Sequence, residues 1–208
     1  MAKSKPYHII KRALDIAGGT ALLGISLPLF AVVSVMIKSE SEGPVFYIHD
    51  RVGYKGKPIR IYKFRSMKTG SDDLESTLND KDLEAYYQEY KLKEDPRVTE
   101  IGHKLRKTSI DELPQLLNVI GGSMSLVGPR PVMKGELDFY SEEEHKLFHS
   151  VNPCLTGYWQ VYARNDATYQ SGKRQEMELY YAKNESFLLD LRILAATPLA
   201  VIRKKGAY

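Results

Sequence analysis

The sequence holds a single cysteine, Cys154, in 208 residues. That excludes an intramolecular disulfide framework and any Cys-rich zinc or iron–sulfur module, and it points to a reducing, cytosol-facing compartment. A dominant charge is also lacking: 30 Lys and Arg stand against 26 Asp and Glu, a formal +4, with a pI near 8.9. So mild an excess does not choose among nucleic acid, an anionic membrane and a phosphorylated substrate. There is no Walker loop, no G-x-G-x-x-G, no HExxH and no Ser/His/Asp pattern, which argues against the standard nucleotide folds. Internal repeats and low-complexity linkers are missing as well. What remains, 43% hydrophobic and 27% charged, suits one ordered domain with a real core.

Only one long apolar run is present. Ile16 to Ile37 is a 22-residue stretch with no ionisable side chain, and a continuous helix of that length reaches about 33 Å, close to the thickness of a bilayer core. A buried core helix and a signal peptide are the alternatives, but a secretory h-region is shorter and ends at a small-residue cleavage site. Lys3, Lys5, Lys11 and Arg12 precede the run, and Lys38, Arg51, Lys55, Lys57, Arg60, Lys63, Arg65 and Lys68 follow it. Both flanks are therefore of the kind retained in the cytoplasm. An ordinary span must export one of them. A helix bent at Pro28, entering and leaving by the same face, exports neither, and this re-entrant, monotopic form is the expectation.

The expected fold is α+β and mostly helical: a re-entrant membrane helix with its basic flank over 1–40, then a cytosol-facing catalytic domain over 41–208. Val45-Phe46-Tyr47-Ile48 and Ile59 to Phe64, separated by the turn-rich Gly53 to Pro58, read as a β-hairpin. Ser71 to Tyr90, acidic and free of Pro, reads as an exposed helix whose carboxylates are a solvated face. A further helix fits Glu176 to Ala182. Leu188 to Lys205, ending in Arg203-Lys204-Lys205, fits equally an interfacial helix with its basic end at the headgroups and a C-terminal core helix.

The densest chemical signal is Arg106-Lys107-Thr108-Ser109-Ile110-Asp111-Glu112-Leu113-Pro114. Ser109 and Glu112 have capping-box spacing, while Pro114 fits a first helical turn, so a helix is expected to begin near Leu113 with Asp111 and Glu112 at its positive end. From spacing alone an acidic pair there is more often a cap than a site. Downstream, Gly128-Pro129-Arg130-Pro131 and the segment from Gly157 to Arg164 set arginines beside Gly/Pro turns, or simply place structural arginines there. A guanidinium on a stiff backbone suits bidentate binding of phosphate.

Together these blocks make the chain resemble the bacterial monotopic phosphoglycosyl transferases, which are polyprenyl-phosphate hexose-1-phosphate transferases. The likeness runs from Lys11-Arg12-Ala13-Leu14-Asp15 through Ile61-Tyr62-Lys63-Phe64-Arg65-Ser66-Met67, Asp111-Glu112 and Gly128-Pro129-Arg130-Pro131 to Tyr180 to Asn184 and Asp190. The resemblance implies transfer of a sugar-1-phosphate from a nucleotide diphosphate sugar, usually a UDP-sugar, to undecaprenyl phosphate at the cytoplasmic face of the bacterial inner membrane. That step would initiate a surface glycan. It further implies Asp111 as nucleophile, Glu112 as the Mg²⁺ ligand, and Lys63, Arg106, Arg130, Arg164 and Asp190 as lining the site, with a structural ion pair equally open for Asp190. Membrane lipid is an implied partner and nucleic acid is not; the extra N-terminal domains of larger relatives are not expected here. Two departures stand out. Ser26-Leu27-Pro28 replaces the family's frequent Ser-Pro at the kink, and Tyr162-Ala163-Arg164 replaces its frequent Asn-Gly-Arg. Rival readings are a non-catalytic anionic-lipid-binding protein and a lipid phosphatase or kinase; neither needs a nucleotide sugar.

Overall fold

The computed structural model describes residues 5–163 and 167–202; Arg164 and the basic run Arg203-Lys204-Lys205 lie outside them. Helix α1 (Lys5–Glu40) has 36 residues and continues through Pro28, outrunning the uncharged stretch at both ends. Pro28 cannot donate the backbone bond expected at its position in the helix. Just before it, Ser26 Oγ donates to the Leu22 carbonyl at 2.6 Å. Such back-bonding bends helices, so a hydroxyl acts on the carbonyl ladder here even without an adjacent Ser-Pro.

The Lys11-to-Asp15 block proves to be a clamp. Lys11 Nζ donates to the Val127 carbonyl and to Asp190, each at 2.9 Å. Arg12 donates to the Val119 and Ile120 carbonyls, each at 2.6 Å. Those carbonyls lie at the end of helix α5 (Leu116–Gly121), whose negative end attracts a cation. Asp15, buried, accepts from Ser125 Oγ at 3.0 Å and Leu126 N at 2.8 Å. At the far end of α1, Val33 and Ile37 pack with Phe64 and Leu105, Glu40 accepts from Ile101 N at 2.9 Å, and Arg65 donates to the Ser41 and Glu42 carbonyls. Both ends of the apolar helix are thus held by the same folded body. Its outer face is bare: Ile25 is 78% and Val35 70% exposed, against 2% for Val33. Asp15→Ala strands the Ser125 hydroxyl and the Leu126 N–H, an expected loss of about 1–3 kcal/mol, read from a denaturant melt in detergent. An unchanged midpoint would remove Asp15 from the clamp.

Strands β1 (Phe46–Val52) and β2 (Pro58–Phe64) form the expected hairpin, antiparallel from Phe46 opposite Phe64 to Val52 opposite Pro58. The acidic stretch is two helices rather than one, α2 (Leu74–Thr77) and α3 (Asp80–Glu89). Asn79 breaks it by capping α3, accepting from Asp82 N at 2.9 Å, as short polar side chains do when they compete with the helix backbone. After α4 (Glu100–Thr108) come a 3₁₀ turn over Ile110–Gln115, then α5, strand β3 (Ser125–Val127), a further 3₁₀ turn over Lys134–Phe139 and α6 (Glu142–Phe148). Strand β4 (Cys154–Thr156) pairs parallel with β3, and α7 (Tyr158–Tyr162), α8 (Lys173–Asn184) and α9 (Phe187–Ile202) complete the chain described.

The main core gathers Ile61, Leu116, Val119, Met124, Tyr181 and Ile193, so it joins hairpin, α5, α8 and α9. Helix α9 is packed on one side, as a core helix is, and bare on the other. Ile193 and Asp190 are buried on its inner side, while Leu188 (57% exposed) and Leu199 (49%) lie outside, an apolar face that continues the character of the outer face of α1.

Candidate active site

Asp111 and Glu112 sit in the 3₁₀ turn over Ile110–Gln115, not at the start of an α-helix near Leu113. The capping-box reading also fails. Ser109 is already the C-cap of α4, with φ 56° and its N–H turned to the Arg106 and Leu105 carbonyls, so it cannot adopt the extended conformation of an N-cap. A left-handed serine costs about 1–2 kcal/mol, and it reverses the chain so that the acidic pair faces β2. Asn118 fixes that approach. Its Oδ1 accepts from Tyr62 N at 3.0 Å and its Nδ2 donates to the Arg60 carbonyl at 2.7 Å, so one side chain closes the edge of β2 and sets α5 and the preceding turn in register on it.

Lys63, on β2, therefore reaches Glu112: its Nζ donates to Oε1 at 3.0 Å. Arg130 Nη1 lies 3.6 Å from the same oxygen. Asp111 is buried, 6% exposed. Burial pushes the Lys63 pKa down, while Glu112 and, more weakly, Asp111 hold it up. Arg106 shows the same balance, its cation disfavoured by burial and favoured by Asp111, and its Nε donates to Ser66 Oγ at 2.9 Å. His49 is driven down to about 3 by burial and by the charges of Arg51 and Lys63, so it is neutral at physiological pH. The site thus sets two sequence-adjacent carboxylates beside the cations of Lys63 and Arg130, both of which reach Glu112.

Arg130 is carried on a stiff support, as its Gly/Pro surroundings suggest. Cys154 N donates to the Pro129 carbonyl at 2.9 Å and Gly128 N to the Thr156 carbonyl at 3.2 Å. The turn sits so close to β4 that a Cβ on Gly157 would meet the Gly128 carbonyl oxygen at 2.1 Å, which only glycine permits.

Of the residues expected in the site, Lys63 and Arg130 both reach Glu112, and Arg106 is coupled to Asp111 through charge. Arg164 lies outside the described residues. Asp190 serves elsewhere: it accepts from Lys11 at 2.9 Å, Tyr7 OH at 2.9 Å and Tyr181 OH at 2.6 Å, so it ties α1 to α8 and α9, as its ion-pair reading allowed. Sequence reasoning missed a buried ionic network behind the site. Glu136 accepts from Arg51 at 2.8 Å, Arg174 at 3.1 Å and Tyr169 OH at 2.8 Å; Arg174 stacks on Trp159 and Tyr169 and reaches Glu178 at 3.3 Å. Nothing in the spacing of these residues marks them as partners.

The donor set fits Mg²⁺. Among the described residues no three His, Cys, Asp or Glu side chains gather to form a protein-only metal site, but Mg²⁺ commonly takes one or two carboxylates and completes its shell with substrate phosphate and water. Were Mg²⁺ to bind, Glu112, with Asp111 adjacent in sequence, would be the carboxylate to hold it.

Comparison with known proteins decides the family, for the profile described as bacterial sugar transferase matches residues 6–204. The chain belongs to the bacterial sugar transferase family. It is 42% identical over 204 residues to the UDP-galactose-lipid carrier transferase of Erwinia amylovora and 41% identical to the undecaprenyl-phosphate galactose phosphotransferase of Salmonella typhimurium, covering 97% of this chain and 42% of each relative. It is also 41% identical to the exopolysaccharide production protein ExoY of Sinorhizobium fredii, over 96% of this chain and 88% of that one. The chain thus spans about two fifths of the length of the first two relatives.

Proposed function

We propose that this sugar transferase is a phosphoglycosyl transferase that moves a sugar-1-phosphate from a UDP-sugar to undecaprenyl phosphate through a covalent intermediate on Asp111, initiating synthesis of a surface glycan. The observation that carries the reading is the Asp111–Glu112 pair held on a rigid turn against Lys63, Arg106 and Arg130. In the first step an Asp111 oxygen attacks the sugar-bearing phosphorus; the bridging P–O bond breaks and UMP leaves with its electron pair. In the second, an oxygen of undecaprenyl phosphate attacks the same phosphorus, the Asp111–phosphorus bond breaks, and the carboxylate is regenerated beside a sugar–diphosphate lipid. Lys63 and Arg130 hold the diphosphate oxygens, and Arg106 offsets the charge of the attacking carboxylate. Mg²⁺, when bound at Glu112, supplies Lewis-acid neutralisation of the diphosphate.

The test is UMP release across a panel of UDP-sugars with Mg²⁺ and undecaprenyl phosphate. Release from at least one donor, silenced by EDTA and restored by Mg²⁺, is expected. No release from any donor would leave a lipid-binding protein, and phosphate turnover without a nucleotide sugar would leave a phosphatase or kinase.

The same reading places the domain at the cytoplasmic face, with α1 monotopic. Support comes from the clamp: Lys11 to Asp15 and Glu40 grip one folded body, so both ends of α1 stay on its side of the bilayer. The bare faces of α1 and α9 supply the apolar surface that enters the lipid, and the acceptor's phosphate then meets Asp111 with its tail still in the membrane. Ser4→Cys and Ser39→Cys in a Cys154→Ser background should both resist an impermeant thiol reagent in intact cells and both react after lysis, while Pro28→Ala shifts some molecules toward a spanning form. Labelling of the residue 4 cysteine from outside would show a crossing helix.

A further inference from the structure

The small cavity bordered by Glu112, about 10 Å³ in volume, takes its polar walls from Lys63, Arg130, Arg51, Gln160 and Gln115. That is room for one oxygen-sized group. Four of these side chains are already engaged with the protein: Lys63 and Arg130 with Glu112, Arg51 with Glu136, and Gln160 with Cys154. Gln115 is not. Its side chain makes no hydrogen bond among the described residues, although the residue is only 2% exposed. Neither atom of the amide is closed off, so the little surface that Gln115 keeps includes its amide, on a residue that borders the cavity. Buried polar groups are paired in the great majority of cases, and an exception calls for a cause.

The turn brings the amide to that position. Gln115 ends the 3₁₀ turn over Ile110–Gln115, with φ −63° and ψ −14°. Side chains three residues apart eclipse in such a turn, so Gln115 and Glu112 leave it on one side, from the same short support that carries Asp111. Pro114 stiffens that support. Helix α5 follows directly, and its Asn118 fastens the whole segment to β2. An amide held on a stiff backbone without a partner in the fold is set for a ligand, because its orientation is paid before the ligand arrives.

We infer that Gln115 binds the donor substrate, its Nε2 amide group donating a hydrogen bond to a non-bridging oxygen of the sugar-bearing phosphate. The inference rests on the proposed function. Lys63, Arg130 and Arg51 make the surroundings cationic, so the group that enters beside them is an anionic oxygen in preference to a neutral hydroxyl. Such an oxygen only accepts, and the amide can donate to it. The last torsion of glutamine is broad, so the NH₂ edge turns to the ligand at little cost. A further cation at this position would pair with Glu112 and compete with the substrate; an amide adds a directed hydrogen bond and no charge. Because Gln115 shares its turn with Asp111, the phosphate it contacts is the one that Asp111 attacks, and not the one that leaves with UMP.

The test is calorimetric titration of the full-length enzyme with UDP, which keeps a second phosphate, and with UMP, which lacks it. Hydrogen bonds to charged groups are among the stronger ones, so Gln115→Met should weaken UDP by roughly tenfold or more and leave UMP unchanged. Gln115→Glu, equal in shape but anionic and unable to donate, should weaken UDP further. In both variants kcat/KM for UMP release from the UDP-sugar should fall by at least the factor seen for UDP. If Gln115→Met melts well below the wild type, Gln115→Asn, whose amide is one methylene short, carries the same comparison. Unchanged UDP affinity in the variants overturns the contact, and so does a wild type that binds UDP no better than UMP. UDP and UMP weakened by one factor also overturn it, as the result of a side chain that only packs or holds water; in all three cases wild-type UMP release leaves the transferase reading intact. Absence of UMP release from every donor overturns both.

Discussion

Asp111→Asn is expected to lower UMP release by on the order of 10⁴-fold or more, the scale seen when a covalent nucleophile is removed. The substitution keeps the volume of a side chain that is only 6% exposed and leaves Lys63, Arg106 and Arg130 in place. On the proposed mechanism, what it removes is the carboxylate oxygen that would form the bond to phosphorus. The chemical loss is therefore expected without a structural one: the variant should melt near the wild type and retain binding of the UDP-sugar. Turnover within tenfold of the wild type would reassign Asp111 to a cap, the role that its place at the start of a turn suggested on spacing alone.

The second large effect concerns stability. Glu136→Ala removes the common acceptor of Arg51, Arg174, Tyr169 and the Met133 N–H, taking from the Arg51 guanidinium its carboxylate partner and leaving Arg174 with Glu178 alone. Breaking a buried ion pair by deleting one partner costs about 3–5 kcal/mol, and for a chain of this size a fall in Tm of roughly 10 °C or more follows. Burial pushes the Glu136 carboxyl up, but Arg174 and Arg51 outweigh it and hold it below its usual range. Stability drawn from that depressed value is present at neutral pH and is lost as pH falls through it. Glu136→Ala should accordingly flatten the acid limb of the stability profile. A Tm within two or three degrees of wild type, roughly 1 kcal/mol or less, would show that the network relaxes or hydrates at little cost.

Local patterns in the sequence carried much of this architecture. The hairpin follows from alternating β-branched and aromatic residues around a Gly/Pro turn, and the long apolar helix from a long run without charge. What was legible only in part depended on competition between local options. The acidic stretch divides because Asn79 finds a backbone N–H to accept from, and the acidic pair enters a 3₁₀ turn because Ser109 has already been used to end α4. Long-range partnerships left no local trace. Lys11, Arg12 and Asp15 carry the flanking charge of a membrane segment, yet they clamp α1 to backbone groups more than a hundred residues away. Asp190 belongs to the same clamp, and Arg51 with Glu136 and Arg174 is invisible until the chain is folded. Within the site, the motif blocks brought out Lys63, Glu112 and Arg130.

The covalent step is the centre of the account, and intact-protein mass spectrometry reads it directly. Wild-type enzyme incubated with the donor identified by UMP release and Mg²⁺, without undecaprenyl phosphate, and then quenched should carry one added sugar-phosphate, mapped to Asp111 and discharged when the lipid acceptor is supplied. An unmodified mass under conditions where UMP is released on adding acceptor, together with an active Asp111→Asn, would mean direct transfer between donor and acceptor and would contradict the mechanism.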